Sequence, residues 1–340
     1  IEGTDGTASG PTYAQQTSGL PHTQRLPSCL RYDERAHALV CATCDARYDP
    51  SDEGMSRAIS CCHEIAEVDP DDIPVTTLNL KRSPDDIRAS EWSLTQLLFL
   101  QAVHNAQQGR YEAPGYDIVH DSMIRLREYV GVTPDDVVDL VDAGLIVEDG
   151  DHPHRLYSVT SDGRDLISEG RREGVDYGDG TGDMTESSQH RLMVEVGRRY
   201  IEQAFVDEAD SRVVRAKPYH EITVDAETKR LDCAGLDEDG DVVVTLEAER
   251  INHDVNEAVP EDFAKMDACD PEEAIWVVLT RSDAHRVIEA LVDPPDGEPR
   301  VEQTYSQNTP AHKFRYQTPG LTQMYTARYL RDAALPVDTE

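Results

Sequence analysis

The chain has 340 residues, with 67 Asp and Glu against 32 Lys and Arg and a formal net charge of −35. Five of the cations are lysines (Lys81, Lys217, Lys229, Lys265 and Lys313) and there are four Phe and two Trp, a composition that reads as the acidic cytoplasmic surface of a halophile, where concentrated salt cuts the Debye length to roughly 3 Å or less and screens self-repulsion. No run approaches the roughly 18 to 20 apolar residues of a spanning helix and no secretory signal is present, which argues against membrane insertion or export. Beginning at Ile1 rather than Met, the chain reads as a piece of a longer protein. Residues 1–27, dominated by Ser, Thr, Gly, Pro and Gln, predict a disordered linker.

The segment 28–68 predicts a small cysteine-rich unit. Leu30–Tyr32 and Ala38–Cys41 are strand-like, and a helix over Glu53–Glu67 carries Met55, Ala58, Ile59, Cys62 and Ile65 on one stripe. Five of the seven Cys fall here (Cys29, Cys41, Cys44, Cys61 and Cys62), which in a reducing compartment favours metal over disulfides. Cys41-x-x-Cys44 is a half-site for tetrahedral zinc. The expected ligand set is Cys29, Cys41, Cys44 and one of Cys61 or Cys62, with His63 as a substitute. Cys62 has the alternative of being a core thiol on the helix stripe.

Residues 91–172 predict helices over Trp92–Gln108 and Tyr116–Val130. A third helix begins at Pro134 behind the N-cap Thr133 and ends at Gly144. Strands over Leu145–Glu148 and Leu156–Val159 and a helix capped by Ser161 follow. Asp142-Ala-Gly-Leu-Ile146 and Arg155-Leu-Tyr-Ser-Val-Thr-Ser-Asp-Gly163 resemble the recognition-helix end and wing of winged helix-turn-helix regulators. The third helix would present Asp135, Asp136, Asp139 and Asp142, which phosphates repel. Docking on a protein is therefore weighed against DNA contact through Arg125, Arg127, Arg164, Arg171 and Arg172.

A Gly- and Asp-rich linker spans 173–185, and residues 186–335 predict an α/β domain. Its elements are a helix (Glu186–Phe205), strands at Ser211–Ala216, Glu221–Val224, Arg230–Leu236 and Asp241–Glu249, a helix (Pro260–Asp267), a strand (Ala274–Thr280) and a helix (Asp283–Val292). Tyr305, Tyr316, Tyr325 and Tyr329 read as packing of the tail. Glu247 and Glu249 share one strand face, and a hairpin at Asp237–Gly240 brings Asp232 beside them. Converging carboxylates make a hard oxygen site suited to Mg²⁺, which can polarise a phosphodiester and activate water. Arg250, Asn252, His253 and Asn256 fit either a DNA-binding groove or a solvated loop.

This arrangement resembles the PD-(D/E)xK nuclease superfamily, a restriction-endonuclease-like α/β fold. The resemblance implies Asp232 and Glu247 as magnesium ligands, Glu195 as a further acid and Glu249 in water positioning. Glu249 stands where the motif has Lys, a place that Lys265 on the following helix can fill. On a larger scale, Arg25–Cys29, Gly54–Cys62, Phe99–Gln107, Asp151–Leu156 and Leu246–Asp254 resemble the C-terminal region of haloarchaeal HerA/TraG-type ATPases of plasmids and conjugation systems. That likeness implies a DNA-processing module with a motor upstream, since no Walker phosphate loop occurs in this chain. The alternatives are a non-catalytic adaptor that binds DNA or docks on such an ATPase, and a winged-helix transcription regulator.

Overall fold

The computed structural model describes residues 26–33, 36, 38–48, 52–64, 68, 80, 82, 84–111, 116–149, 155–169, 180, 182–208, 211–251 and 254–334. The linkers expected over 1–27 and 173–185 lie for the most part outside them. The protein is a mixed α/β chain of two compact units, 1–171 and 172–340. No helix among the described residues is long and apolar enough to cross a membrane.

The first unit opens with a three-stranded antiparallel sheet of β1 (Leu30–Asp33), β2 (Ala38–Cys41) and β3 (Arg47–Tyr48). Helix α1 (Asp52–Ile59) packs on it through Met55, Ala58 and Ile59, which with Leu30 and Leu39 form a small core. The helix stops well short of the expected Glu67. The amides of Cys62 and His63 both turn back to the Ile59 carbonyl, so Cys61 and Cys62 leave the helical stripe and lie exposed.

After α2 (Pro84–Ala89), α3 (Leu94–Gln107) begins at a capping box between Ser93 and Gln96. Leu97, Phe99, Leu100 and Val103 are fully buried, but so are Gln101, His104 and Asn105, and the helix is enclosed on every side. Several enclosed polar atoms are paired locally: Gln101 Nε2 donates to Asn105 Oδ1 (3.0 Å) and to Glu169 Oε1 (3.2 Å), and Arg110 Nη1 donates to the same two oxygens. Helix α4 is limited to Ile124–Val130 because Asp117 and Asp121 bond the amides of Val119 and Asp117 and fold the preceding stretch into a turn. Helix α5 (Pro134–Asp142) has its expected cap at Thr133 but buries only Val137 and Leu140. A hairpin of β4 (Ile146–Glu148) and β5 (Tyr157–Val159) leads to α6 (Ser161–Leu166), capped by Thr160 rather than Ser161.

The second unit starts with α7 (Ser188–Ile201), extended by a π turn at Glu202–Val206. Strands β6 (Arg215–Val224), β7 (Glu227–Leu236) and β8 (Val242–Glu249) form an antiparallel meander. The two expected runs around Pro218 are one strand, which tolerates the proline because β6 is at the sheet edge. Helix α8 (Val255–Asp267) carries Pro260 in its interior and begins a turn earlier than that proline predicts. Strand β9 (Glu273–Val278) lies parallel to β8, and α9 (Arg281–Val292) follows behind a capping box of Thr280 and Asp283. The tail adds β10 (Arg315–Thr318) and β11 (Leu321–Thr326), which sequence patterning did not predict. The mixed six-stranded sheet has the order β10-β11-β9-β8-β7-β6. Val259, Phe263, Met266, Trp276, Val287, Leu291 and Phe314 belong to its principal core. Helix α7 lies so close to β8 that a Cβ on Gly197 would stand 2.5 Å from Leu246 Cδ1. Gly197→Val should therefore destabilise this unit by roughly 1–3 kcal/mol in denaturant unfolding at constant KCl.

Candidate functional site

Two clusters gather the residues singled out by sequence. In the first unit, Cys41, Cys44, Cys61 and Cys62 bring their sulfurs within 4.8 Å of one another, the one such group of metal-ligand atoms among the described residues. Cys41 ends β2, the turn after it carries Cys44, and the early stop of α1 supplies the other two. Cys44 Sγ lies 3.3 Å from Cys61 Sγ, and Cys62 Sγ lies 3.7 Å from Cys61 Sγ. A tetrahedron of thiolates at 2.3 Å has edges of about 3.8 Å, so these four can hold a metal ion such as zinc. The amides of Thr43 and Cys44 hold the Cys41 thiol down at about 6. Tyr48, followed by Cys44 and Cys62, lowers Cys61 by hydrogen bonding to its thiolate.

The expected ligand set is corrected at three places. Cys29 is outside the cluster: it packs beside the core of Leu30 and Met55, and burial pushes its thiol up. Both Cys61 and Cys62 take part, because neither remains on the helix. His63 is not a substitute, since its Nε2 pairs with Thr43 Oγ1 at 2.9 Å.

The second cluster lies where β7, β8, α7 and α8 meet. Asp232 Oδ2 accepts the Ala248 amide at 2.8 Å, which places its carboxylate alongside the strand segment that bears Glu247 and Glu249. Its other oxygen is 3.2 Å from His190 Nε2, on the first turn of α7. Lys265 Nζ, from α8, is 2.9 Å from Glu247 Oε1 and 2.7 Å from Asp262 Oδ1. Glu247 and Glu249 are 3% and 7% exposed, so these charges face one another with little water between.

Four carboxylates thus share two bases. Burial works against ionised Asp232, but His190, Lys265 and the Ala248 amide outweigh it and hold the acid near 2. Burial pushes Glu247 well above the carboxylate range, with Lys265 opposing and Asp232 and Asp262 adding to the rise. Glu249 is raised to about 8 by burial and then by Asp262 and Asp232. Burial disfavours the Lys265 ammonium, yet Glu247, Asp262 and Asp232 keep it protonated. The carboxylate oxygens do not close to the 4.8 Å mutual spacing of the cysteine cluster, and Lys265 supplies the local positive charge.

Glu195 does not join this group. Its two oxygens take hydrogen bonds from Arg198 and Arg199 at 2.7–2.8 Å, which balance its charge on α7 itself. The α7 residue that reaches Asp232 is His190, which sequence reasoning missed along with Asp262. The i,i+3 spacing of Asp262 and Lys265 was a local signal for the latter. Lys265 is 11% exposed and paired with Glu247 and Asp262 inside the site. Arg250 donates to the Ser187 hydroxyl and ties the end of β8 to the cap of α7. Asn252 and His253 lie outside the described residues.

No protein-family model matches the chain and no curated protein matches it. Its chemistry is read from these two clusters.

Metal analysis of the purified chain should find about one equivalent of zinc, lost in Cys44→Ser and retained in Cys29→Ser. The carboxylate cluster sets a pH dependence. Folded Glu249 keeps its proton up to about 8, whereas the unfolded side chain releases it near 4.5, so stability falls as pH rises through that window and levels above it. In EDTA the loss should be roughly 2–4 kcal/mol by denaturant titration, and Glu249→Gln should reduce it, leaving the part that Glu247 contributes.

Proposed function

We propose that the second unit is a divalent-metal-dependent phosphodiester-hydrolysing domain acting on DNA, of the PD-(D/E)xK kind. The observation that carries this reading is the Ala248 amide bonded to Asp232, which joins the acid of β7 to the Glu-x-Glu of β8. The order of elements supports it: a helix, a three-stranded antiparallel meander, a helix, and a strand parallel to the last of the three. The donor set fits the ion as well. All four acids offer hard oxygens, and among the described residues His190 and Lys265 are the bases paired with them.

Asp232 and Glu247 would hold Mg²⁺. When bound, such an ion polarises the phosphodiester and makes water more acidic. His190 keeps Asp232 ionised and fixed in direction. Glu249, raised to about 8, can accept a proton from water in the fraction that has released its own, a fraction that grows as pH approaches 8. Lys265 is the cation available to the extra charge that develops on phosphate during attack, the part that Lys plays in the superfamily motif.

At the level of the whole chain, this domain and the cysteine unit, read as structural zinc, fit a DNA-processing module of a haloarchaeal mobile element. The proposed partner is an ATPase of the HerA/TraG type. A second reading applies to the first unit. Asp135, Asp139 and Asp142 are exposed on α5, and a cleft beside them is lined by Glu91, Trp92 and Asp136. That face suits a protein partner better than DNA, and the unit would then serve as a winged-helix adaptor.

The deciding experiment is cutting of linear and branched DNA at high KCl. Mg²⁺-dependent cutting by the intact chain is expected, with Asp232→Asn and Lys265→Ala each lowering the rate at least 100-fold, on the order of the loss of one electrostatic group. Cutting that persists in Asp232→Asn, or none by the intact chain, overturns the enzyme reading. Mg²⁺ affinity should also rise with pH, because the ligand Glu247, held well above the carboxylate range, must release its proton.

A further inference from the structure

A cationic cluster adjoins the carboxylates on the side of the edge strand. Tyr219 on β6 stands opposite Asp232 on β7, between the registered pairs Pro218↔Cys233 and His220↔Leu231. Its backbone has φ +51°, a left-handed conformation that bulky residues rarely adopt. Such strain is retained where the surroundings over-determine it, and it concentrates at working sites. The ring is 5% exposed and carries two guanidinium groups, with Arg191 Cζ 4.9 Å and Arg230 Cζ 5.6 Å from its centroid. Glu186 offsets their mutual repulsion, 3.0 Å from Arg191 Nε and 3.4 Å from Arg230 Nη2. Gly182 lies directly on the stack: a Cβ there would be 2.4 Å from Arg191 Nη1 and 2.6 Å from Tyr219 Cζ.

The two arginines differ in exposure. Arg191 is 12% exposed and also donates to the Asp183 carbonyl at 2.7 Å. Arg230 is 28% exposed, and its contact with Glu186 is the longer one. Arg230 precedes Asp232 by two residues on the same strand, so both side chains leave the same face about 6.6 Å apart.

We infer that Arg230, oriented by Tyr219 and backed by Arg191 and Glu186, grips a backbone phosphate of the nucleic acid beside the one that meets Asp232 and Glu247. The inference rests on the phosphodiester reading above and adds a second point of substrate contact. A guanidinium held over a ring has its planar fork pre-set for bidentate pairing with phosphate. The strained Tyr219 is then a positioning residue that fixes the angle of the fork.

The test is binding of fluorescently labelled DNA to the intact chain over a range of KCl concentrations, with Ca²⁺ in place of Mg²⁺, followed by cutting kinetics in Mg²⁺. Arg230→Ala should weaken binding roughly 10-fold or more and reduce the slope of log K against log salt by about 1. KM should rise while kcat stays within a factor of about two, since the contact is not with the reacting atoms. Arg230→Lys should restore the salt slope but only part of the affinity, because the charge returns without the stacked fork. Gly182→Ala, which displaces the stack and removes no charge, should weaken binding with the slope unchanged. A salt slope and KM in Arg230→Ala equal to those of the unmodified chain overturn the clamp while leaving the nuclease reading in place. An intact chain that neither binds nor cuts DNA removes both.

Discussion

Everything proposed for the second unit depends on one crowding of acids around two bases. Asp232, Glu247, Glu249 and Asp262 converge on His190 and Lys265 in a volume from which water is largely excluded. In such surroundings a carboxylate either finds a cation or keeps its proton. Asp232 takes the first course, with a histidine and an amide directed at it, and Glu249 takes the second. The sheet maintains the crowding: the β7–β8 ladder fixes Asp232 against Ala248, and α8 brings Lys265 across from the neighbouring layer. The arrangement is poorly suited to stability alone, since apolar residues of the same volume would fill the space without a desolvation penalty.

Much of this was legible in sequence because its signals are local. The two-residue period of β8 set Glu247 and Glu249 on one face, and the turn at Asp237–Gly240 made the hairpin that returns Asp232 to them. Likewise Thr133 with Pro134 marked the start of α5, and Cys41-x-x-Cys44 marked one edge of the cysteine cluster. What failed were relations across the chain. Nothing near His190 indicates that it faces Asp232, because the pairing arises from the way α7 crosses the sheet. Glu195 was drawn in by resemblance alone, and the arginines one turn on were its real partners. The tail strands escaped notice because β11 gains its place by lying parallel to β9, a non-local pairing with weak patterning of its own.

Helix boundaries failed for a different reason. Apolar periodicity continues past Ile59 as far as Ile65, yet the amides of Cys62 and His63 turn back to one carbonyl and end α1. Periodicity reports which residues would share a face if the helix continued, not whether it does. The same limit applies to α3, where nearly the whole circumference is covered. A polar network around Glu169 makes that coverage tolerable, and no single-face pattern reveals it.

Lys265 stands out against the chain's own habits. Lysine is scarce among its cations, which are mostly arginine. Arginine has a broad planar head whose donors diverge, whereas an ammonium concentrates its charge on one small atom and can meet two oxygens arriving from different directions. Between Glu247 on a strand and Asp262 on a helix, the room is of the second kind. Whatever pressure thins lysine from the rest of the molecule is overridden here by steric necessity.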